Sequence, residues 1–378
     1  MLTRRSGNNV GRKTRTESGG AGQVTAKTNA FLHAARRNKK DEFYTQLSDI
    51  EQELRNYRNH FKNKVVLCNC DDPFESDFFK YFVMNFRRLG IKKLIASCYA
   101  GSLVAGQQIS LFDLEGLSDE EASAKTPFKI EITEIPDANG DGAIDLSDVE
   151  YLLRHDANVL TPLKGDGDFR STECMELLEA ADIVVTNPPF SQITDYLTLL
   201  IKSGKSFLVL GNVNQALYEE IFPFVMAGQM WLGVNSGHFW FRVPENYEPK
   251  KTDYRQDLDG QKWRRMGGIC WFTNLDHSKR HESLILVEKY SPDRYPHYDN
   301  YDAIEVSRTV DIPQDWTGVM GVPVTFLDKF NPEQFSVVGC SYAYGRPVGW
   351  PPDTKMSGTI RGKQIYKRLL IRRIGDAS

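Results

Sequence analysis

Five apolar runs limit what this chain can fold into: KVVLCNC (64–70), KKLIASCYA (92–100), DIVVTN (182–187), KSFLVLGNV (205–213) and MWLGVN (230–235). Between them lie stretches of helical period. A helix over 42–62 leads into the first strand, an aromatic helix follows over 76–88, and ITDYLTLLIKSG (193–204) and QALYEEIFPFVMA (215–227) come later. Apolar strands alternating with helices predict a doubly wound, mainly parallel α/β sheet covered on both faces. Residues 101–163 interrupt the rhythm with acidic, Gly-containing material and one further strand candidate, FKIEITE (128–134). From residue 236 the chain turns rich in Trp, Tyr, Arg, Lys and Pro, with short β-like pieces such as HFWFRV (238–243) and GICWFTN (268–274).

The expected organisation is a basic, disordered arm over 1–40, an α/β domain over 41–235 carrying the insertion 101–163, and a β-rich region over 236–378. With 378 residues, 40% hydrophobic and 26% charged, the chain has the material for a sizeable core. No segment approaches the roughly 20 apolar residues of a membrane span, so a cytoplasmic protein with no membrane partner is expected. The net charge of −3 hides an uneven distribution. Residues 1–40 hold ten Lys/Arg against the single acid Glu17, and residues 361–373 hold six and no acid. Such ends suit a polyanion, because each cation that neutralises a phosphate releases counterions; the plain alternative is a pair of solvated tails. The cysteines Cys68, Cys70, Cys98, Cys174, Cys270 and Cys340 show no zinc spacing, and indicate neither a disulfide framework nor a structural metal.

The strand DIVVTN runs directly into Asn187-Pro188-Pro189-Phe190. Ligands of open α/β sheets sit at the carboxyl ends of the strands. Each proline fixes its own φ and holds the preceding residue extended. The result is a stiff loop offering the Asn187 amide oxygen and the Pro188 carbonyl as acceptors, with Phe190 as a flat ring beside them. That set matches an exocyclic amine of a nucleobase, a poor nucleophile that two acceptors would draw toward tetrahedral geometry as it attacks. Phe190 would stack on a base taken out of the duplex. The bland reading is a prolyl strand end ahead of a helix.

Asn-Pro-Pro-Phe is the catalytic motif of amino-group methyltransferases that use S-adenosylmethionine. DEFYTQLSDIEQEL (41–54), VVLCNCDDPFESDFFKYF (65–82), KGDGDFRSTEC (164–174), VTNPPFSQ (185–192) and GVMGVPVTFLDKFNPEQFSVVG (318–339) together resemble the EcoRI-type adenine-specific DNA methyltransferase family. The resemblance implies the Rossmann-like fold of class I methyltransferases, S-adenosylmethionine as cofactor and double-stranded DNA as partner. It implies that Asn187, Pro188, Pro189 and Phe190 hold and methylate the target adenine at N6. Asp71, Asp72 and Pro73 would hold the methionine part of the cofactor, and Phe43, Tyr44 and Thr45 would close over it. Asp168 would bond the cofactor adenine amine while Phe169 packs on the ring. Two departures stand out: CNCDDPFES replaces the usual Gly-x-Gly loop, and Ala96-Ser97-Cys98-Tyr99 supplies no acid for the ribose.

DANGDGAIDLSD resembles a twelve-residue calcium loop, with Asp137, Asn139, Asp141, Asp145 and Asp148 as oxygen ligands and Gly142 at the sharp turn. Position twelve is an aspartate, not the bidentate glutamate, and a strand-like segment stands where the entering helix belongs; an acidic turn is the alternative to structural calcium. In the C-terminal part, Lys262, Arg264 and Arg265 lie among aromatics in a pattern that suits DNA contact. The expected function is site-specific DNA adenine N6-methylation by a monomer, with a cognate restriction endonuclease as a system partner. Asn-Pro-Pro-Phe chemistry equally fits cytosine N4, RNA adenine or a glutamine amide as acceptor, and a DNA-binding protein that has lost catalysis would keep the same fold.

Overall fold

The structure is a computed structural model that describes residues 44–70, 76–97, 127–138, 140, 142, 144, 147–148, 151, 160–243, 253–350 and 358–374, with Tyr44 and Ala343 described by backbone alone. The expected arm 1–40, most of the insertion, and the candidate residues Phe43, Asp71, Asp72, Pro73, Asn139, Asp141 and Asp145 lie outside the described residues.

Ten strands make the principal sheet: β1 (Tyr44–Thr45), β2 (Val65–Asn69), β3 (Lys93–Ser97), β4 (Phe128–Ile132), β5 (Leu160–Pro162), β6 (Ile183–Thr186), β7 (Ser206–Asn212), β8 (Trp231–Val243), β9 (Tyr254–Gln256) and β10 (Lys262–Thr273). Their order is β1-β8-β10-β7-β6-β2-β3-β4-β5, with β9 paired to β10. The four central strands, β7-β6-β2-β3, are parallel. Both flanks are antiparallel, so the expected parallel sheet is the centre of a mixed one.

Successive residues of a strand point to opposite faces, and in the central strands both sets are apolar. Val66, Cys68, Leu94, Val185 and Leu208 enter one core with α1 (Leu47–Leu54), α2 (Asp77–Met84) and α3 (Phe86–Leu89). Leu67, Ile95, Val184, Phe207 and Val209 enter the other with α4 (Thr172–Ala180), α5 (Ile193–Lys202) and α6 (Phe222–Met226). That second core is completed by a four-stranded C-terminal sheet. It holds β11 (Ala303–Glu305), β12 (Val319–Val322) and β13 (Phe335–Cys340); after the ribbon of β14 (Thr359–Ile360) and β15 (Lys363–Gln364) comes β16 (Leu369–Arg373), and the order is β11-β12-β16-β13.

The structure departs from the expected elements where local signals meet tertiary ones. The 76–88 helix breaks at Asn85, whose side-chain amide donates to the Tyr81 carbonyl at 2.9 Å and competes with the helical ladder. The 215–227 helix is two short pieces, a 3₁₀ turn Val213–Leu217 and α6, because Pro223 has no N–H to give a longer helix. MWLGVN is not a parallel strand. It is the first half of β8, which runs unbroken through HFWFRV and pairs antiparallel with β10, so that β10 lies between β8 and β7.

Candidate active site

The four residues of β6 are all buried, and its carboxyl end is tied to that of β2. The Thr186 hydroxyl donates to the Asn69 carbonyl, and the Tyr196 hydroxyl donates to the Asn69 side-chain oxygen. Burial pushes the Tyr196 hydroxyl well above its ordinary range, which keeps it a donor. Cys70 follows with φ +96°, a left-handed conformation that favours glycine, at the point where this sequence departs from the usual Gly-x-Gly. The strand end thus carries the backbone conformation without the expected residue type.

Asn187 is buried at that edge, and the Gln192 amide closes the loop onto the Pro189 carbonyl at 2.9 Å before α5 begins. Phe190 is half-buried and meets Phe241 of β8 edge to face, with centroids 6.3 Å apart. The catalytic-loop candidates therefore sit together, and against a strand that sequence reasoning placed in another region.

Asp168 and Phe169 precede α4. Phe169 is buried, with Tyr196 edge-on at 5.0 Å and the Arg170 guanidinium 4.8 Å above its ring. Asp168 Oδ1 accepts from the Arg170 backbone N–H and Nε, each at 2.9 Å, while Oδ2 accepts from Nη2 at 2.8 Å. The Arg170 guanidinium holds the Asp168 carboxyl below the usual carboxylate range. Oδ2 keeps a second lone pair on a side chain that is 24% exposed, so an ionised acceptor for an amine is in place. A depressed carboxylate pKa adds stability above its unfolded value of about 3.9, and that contribution is lost as pH falls through the folded value. Arg170→Met is expected to raise the Asp168 pKa, followed by carboxyl carbon NMR; a pKa that stays where it was would remove Arg170 as the cause.

Past the carboxyl end of β7 the antiparallel strands continue as an arm. Ile269 pairs with Asn212, the last residue of β7, whereas residues 262–266 of β10 pair only with β8 and β9. Gly267 and Gly268 form a bulge opposite His238, with Gly268 at φ +72°. The register places Lys262 and Arg264 opposite Val243 and Phe241, on the face that carries Phe190's partner. Arg265 pairs with Trp240, on the other face. There the Arg255 guanidinium lies 4.8 Å from the Trp240 ring and 5.1 Å from Trp263. Thr45 pairs with Phe241 at the arm's outer edge and is buried, as one strand with Tyr44.

Among the described residues no cluster of His, Cys, Asp and Glu is arranged to hold a metal. The Asp137 carboxylate accepts the Gly140 and Gly142 amides at 2.7 and 2.8 Å, and buried Asp148 accepts the Ala138 amide at 2.8 Å. These carboxylates serve the turn's own backbone, and the calcium reading gains no support. No described helix is long and apolar enough to cross a membrane.

An Asn-Pro-Pro-Phe loop at the carboxyl edge of a helix-covered parallel centre is the arrangement that the resemblance to amino-group methyltransferases implies. The model of the family described as adenine-specific methyltransferase EcoRI matches residues 31–373, and the chain belongs to that family. It is 49% identical to the Type II methyltransferase M.EcoRI of Escherichia coli over 349 residues, covering 91% of this chain and 97% of the relative. It is 36% identical to the Type II methyltransferase M.MpnI of Mycoplasma pneumoniae, covering 90% and 98%. No solved structure matches it. The chain is thus an adenine-specific DNA methyltransferase, and membership implies S-adenosylmethionine as methyl donor.

Proposed function

We propose that the chain methylates adenine at N6 in duplex DNA at a defined sequence, with Asn187, Pro188, Pro189 and Phe190 as the residues that touch the target base. The observation that carries this reading is the contact of Phe190 with Phe241, which joins the acceptor loop to a basic, aromatic arm. Bound S-adenosylmethionine supplies an electrophilic methyl on a sulfonium. The chain's part is to orient the amine: the Asn187 amide oxygen and the Pro188 carbonyl accept its two N–H bonds and meet the positive charge that develops on nitrogen. Phe190 takes the face of the extruded base.

The residues ahead of α4 suit the cofactor. Asp168 is the acceptor for its adenine amine, and Phe169, backed by buried Tyr196, is the apolar wall. Asp71, Asp72, Pro73, Phe43, Tyr44 and Thr45 complete the methionine end on this proposal, and the fold is the Rossmann-like one of class I methyltransferases.

The split of Lys262 and Arg264 from Arg265 puts basic side chains on both faces of the arm, which suits contacts to the phosphate backbone. This arm and the C-terminal sheet form the DNA-recognition part of 236–378. We place the enzyme in the cytoplasm, acting as a monomer, with any cognate restriction endonuclease a partner of the system and not of the chain. Labelled methyl is expected on duplex DNA; transfer to RNA or to a protein amide instead would replace the proposal. Lys262→Ala is expected to weaken duplex binding uniformly across sequences and to lower the slope of log affinity against log salt by about 0.9. An unchanged slope would remove Lys262 from the interface.

A further inference from the structure

Asn212 and Gln215 occupy the turn between β7 and the 3₁₀ helix, and their side chains form a capping box. The backbone N–H of Asn212 donates to Gln215 Oε1 at 2.7 Å, which fixes the orientation of that amide, since an N–H needs an acceptor. Gln215 Nε2 is thereby turned to the Phe190 carbonyl, 3.4 Å away. The same logic fixes Asn212. Its Oδ1 accepts the Asn214 amide at 3.0 Å, and its Nδ2 donates to the Gly267 carbonyl in the arm's bulge at 3.1 Å.

A continuous path therefore runs from the bulge through two side-chain amides to the catalytic loop. The neighbouring glycines make room for it. A Cβ on Gly211 would stand 2.8 Å from Gln215 Oε1, and one on Gly268 would stand 3.1 Å from Asn212 Nδ2. Gln215 is buried, and nothing in the methyl-transfer chemistry itself requires it.

We infer that Gln215 and Asn212 are positioning residues that hold the Asn-Pro-Pro-Phe loop in register with the DNA-facing arm, an inference that rests on the catalytic reading of that loop. Two near-isosteric variants each remove one donor and keep one acceptor. Gln215→Met keeps the side chain's length and a weak acceptor for the Asn212 amide but gives nothing to the Phe190 carbonyl. Asn212→Asp still accepts the Asn214 amide but releases Gly267.

Each is expected to slow single-turnover methylation of duplex DNA roughly tenfold, the equivalent of about 1.4 kcal/mol. Dissociation constants for duplex and for S-adenosylmethionine, and the thermal midpoint, are expected to stay near wild type. Because both variants cut one path, the double variant is expected to be no slower than the slower single. Unchanged rates, losses that multiply in the double variant, or losses that track binding or the thermal midpoint would overturn the inference. Asn187→Ala, assayed in parallel, separates the two claims: wild-type speed in that variant would sink the catalytic reading itself.

Discussion

Asn187→Ala is expected to slow methyl transfer by about 10²–10³-fold, the usual loss when one preorganised polar group is removed from a developing charge. The loop should survive the change. Pro188 and Pro189 fix the backbone, and the Gln192-to-Pro189 bond closes the turn without help from the Asn187 side chain. Cofactor affinity should therefore hold while the chemical step fails, and rapid-quench single-turnover assays beside cofactor titration separate the two. A variant that transfers methyl at the wild-type rate would remove Asn187 from the chemistry. One that has lost cofactor binding would make its role structural.

Glu53→Ala should carry the largest stability cost. Its carboxylate is fully buried and accepts the Tyr57 hydroxyl at 2.8 Å, the Val234 amide at 2.8 Å, the Asn235 amide at 2.7 Å and the Asn235 side-chain amide at 2.8 Å. Gly233 is needed beside it, because a Cβ there would lie 2.3 Å from Glu53 Oε1. Removing the acid strands several buried donors at once, for a loss of about 3–5 kcal/mol, read by chemical denaturation. A loss under about 1 kcal/mol, the scale of an ordinary surface pair, would show that the cluster contributes little.

Burial pushes the Glu53 carboxyl up against the pull of its donors. A raised folded pKa means that this group's contribution is complete below its unfolded value of about 4.3 and is lost as pH rises through the folded value. The stability advantage of wild type over Glu53→Gln should therefore shrink with rising pH across that window. A gap that widens would contradict the raised pKa.

The central strands were legible because each is buried on both faces, so apolar content alone marks β2, β3, β6 and β7. The loop after β6 was legible because paired prolines constrain backbone geometry whatever the tertiary context. The arm was not. That β10 slots between β7 and β8 depends on pairings such as Cys270 with Gly211, which no local pattern encodes. Glu53 was hidden for a similar reason: an acid on an amphipathic helix reads as solvated until Gly233 is known to lie across from it. The Asn212–Gln215 box did leave a trace, an Asn-x-x-Gln at a strand end, but the expected helix over 215–227 absorbed it. The three basic candidates were chosen by composition, whereas the pairing of β10 with β8 decides which face of the strand each of them occupies.

The most direct test is to digest duplex DNA methylated by the purified protein from labelled S-adenosylmethionine and to identify the labelled nucleoside by mass. N6-methyladenine, formed by the wild type and absent with Asn187→Ala, is the predicted result. Label on cytosine N4, or on no base while the cofactor still binds, would contradict the account.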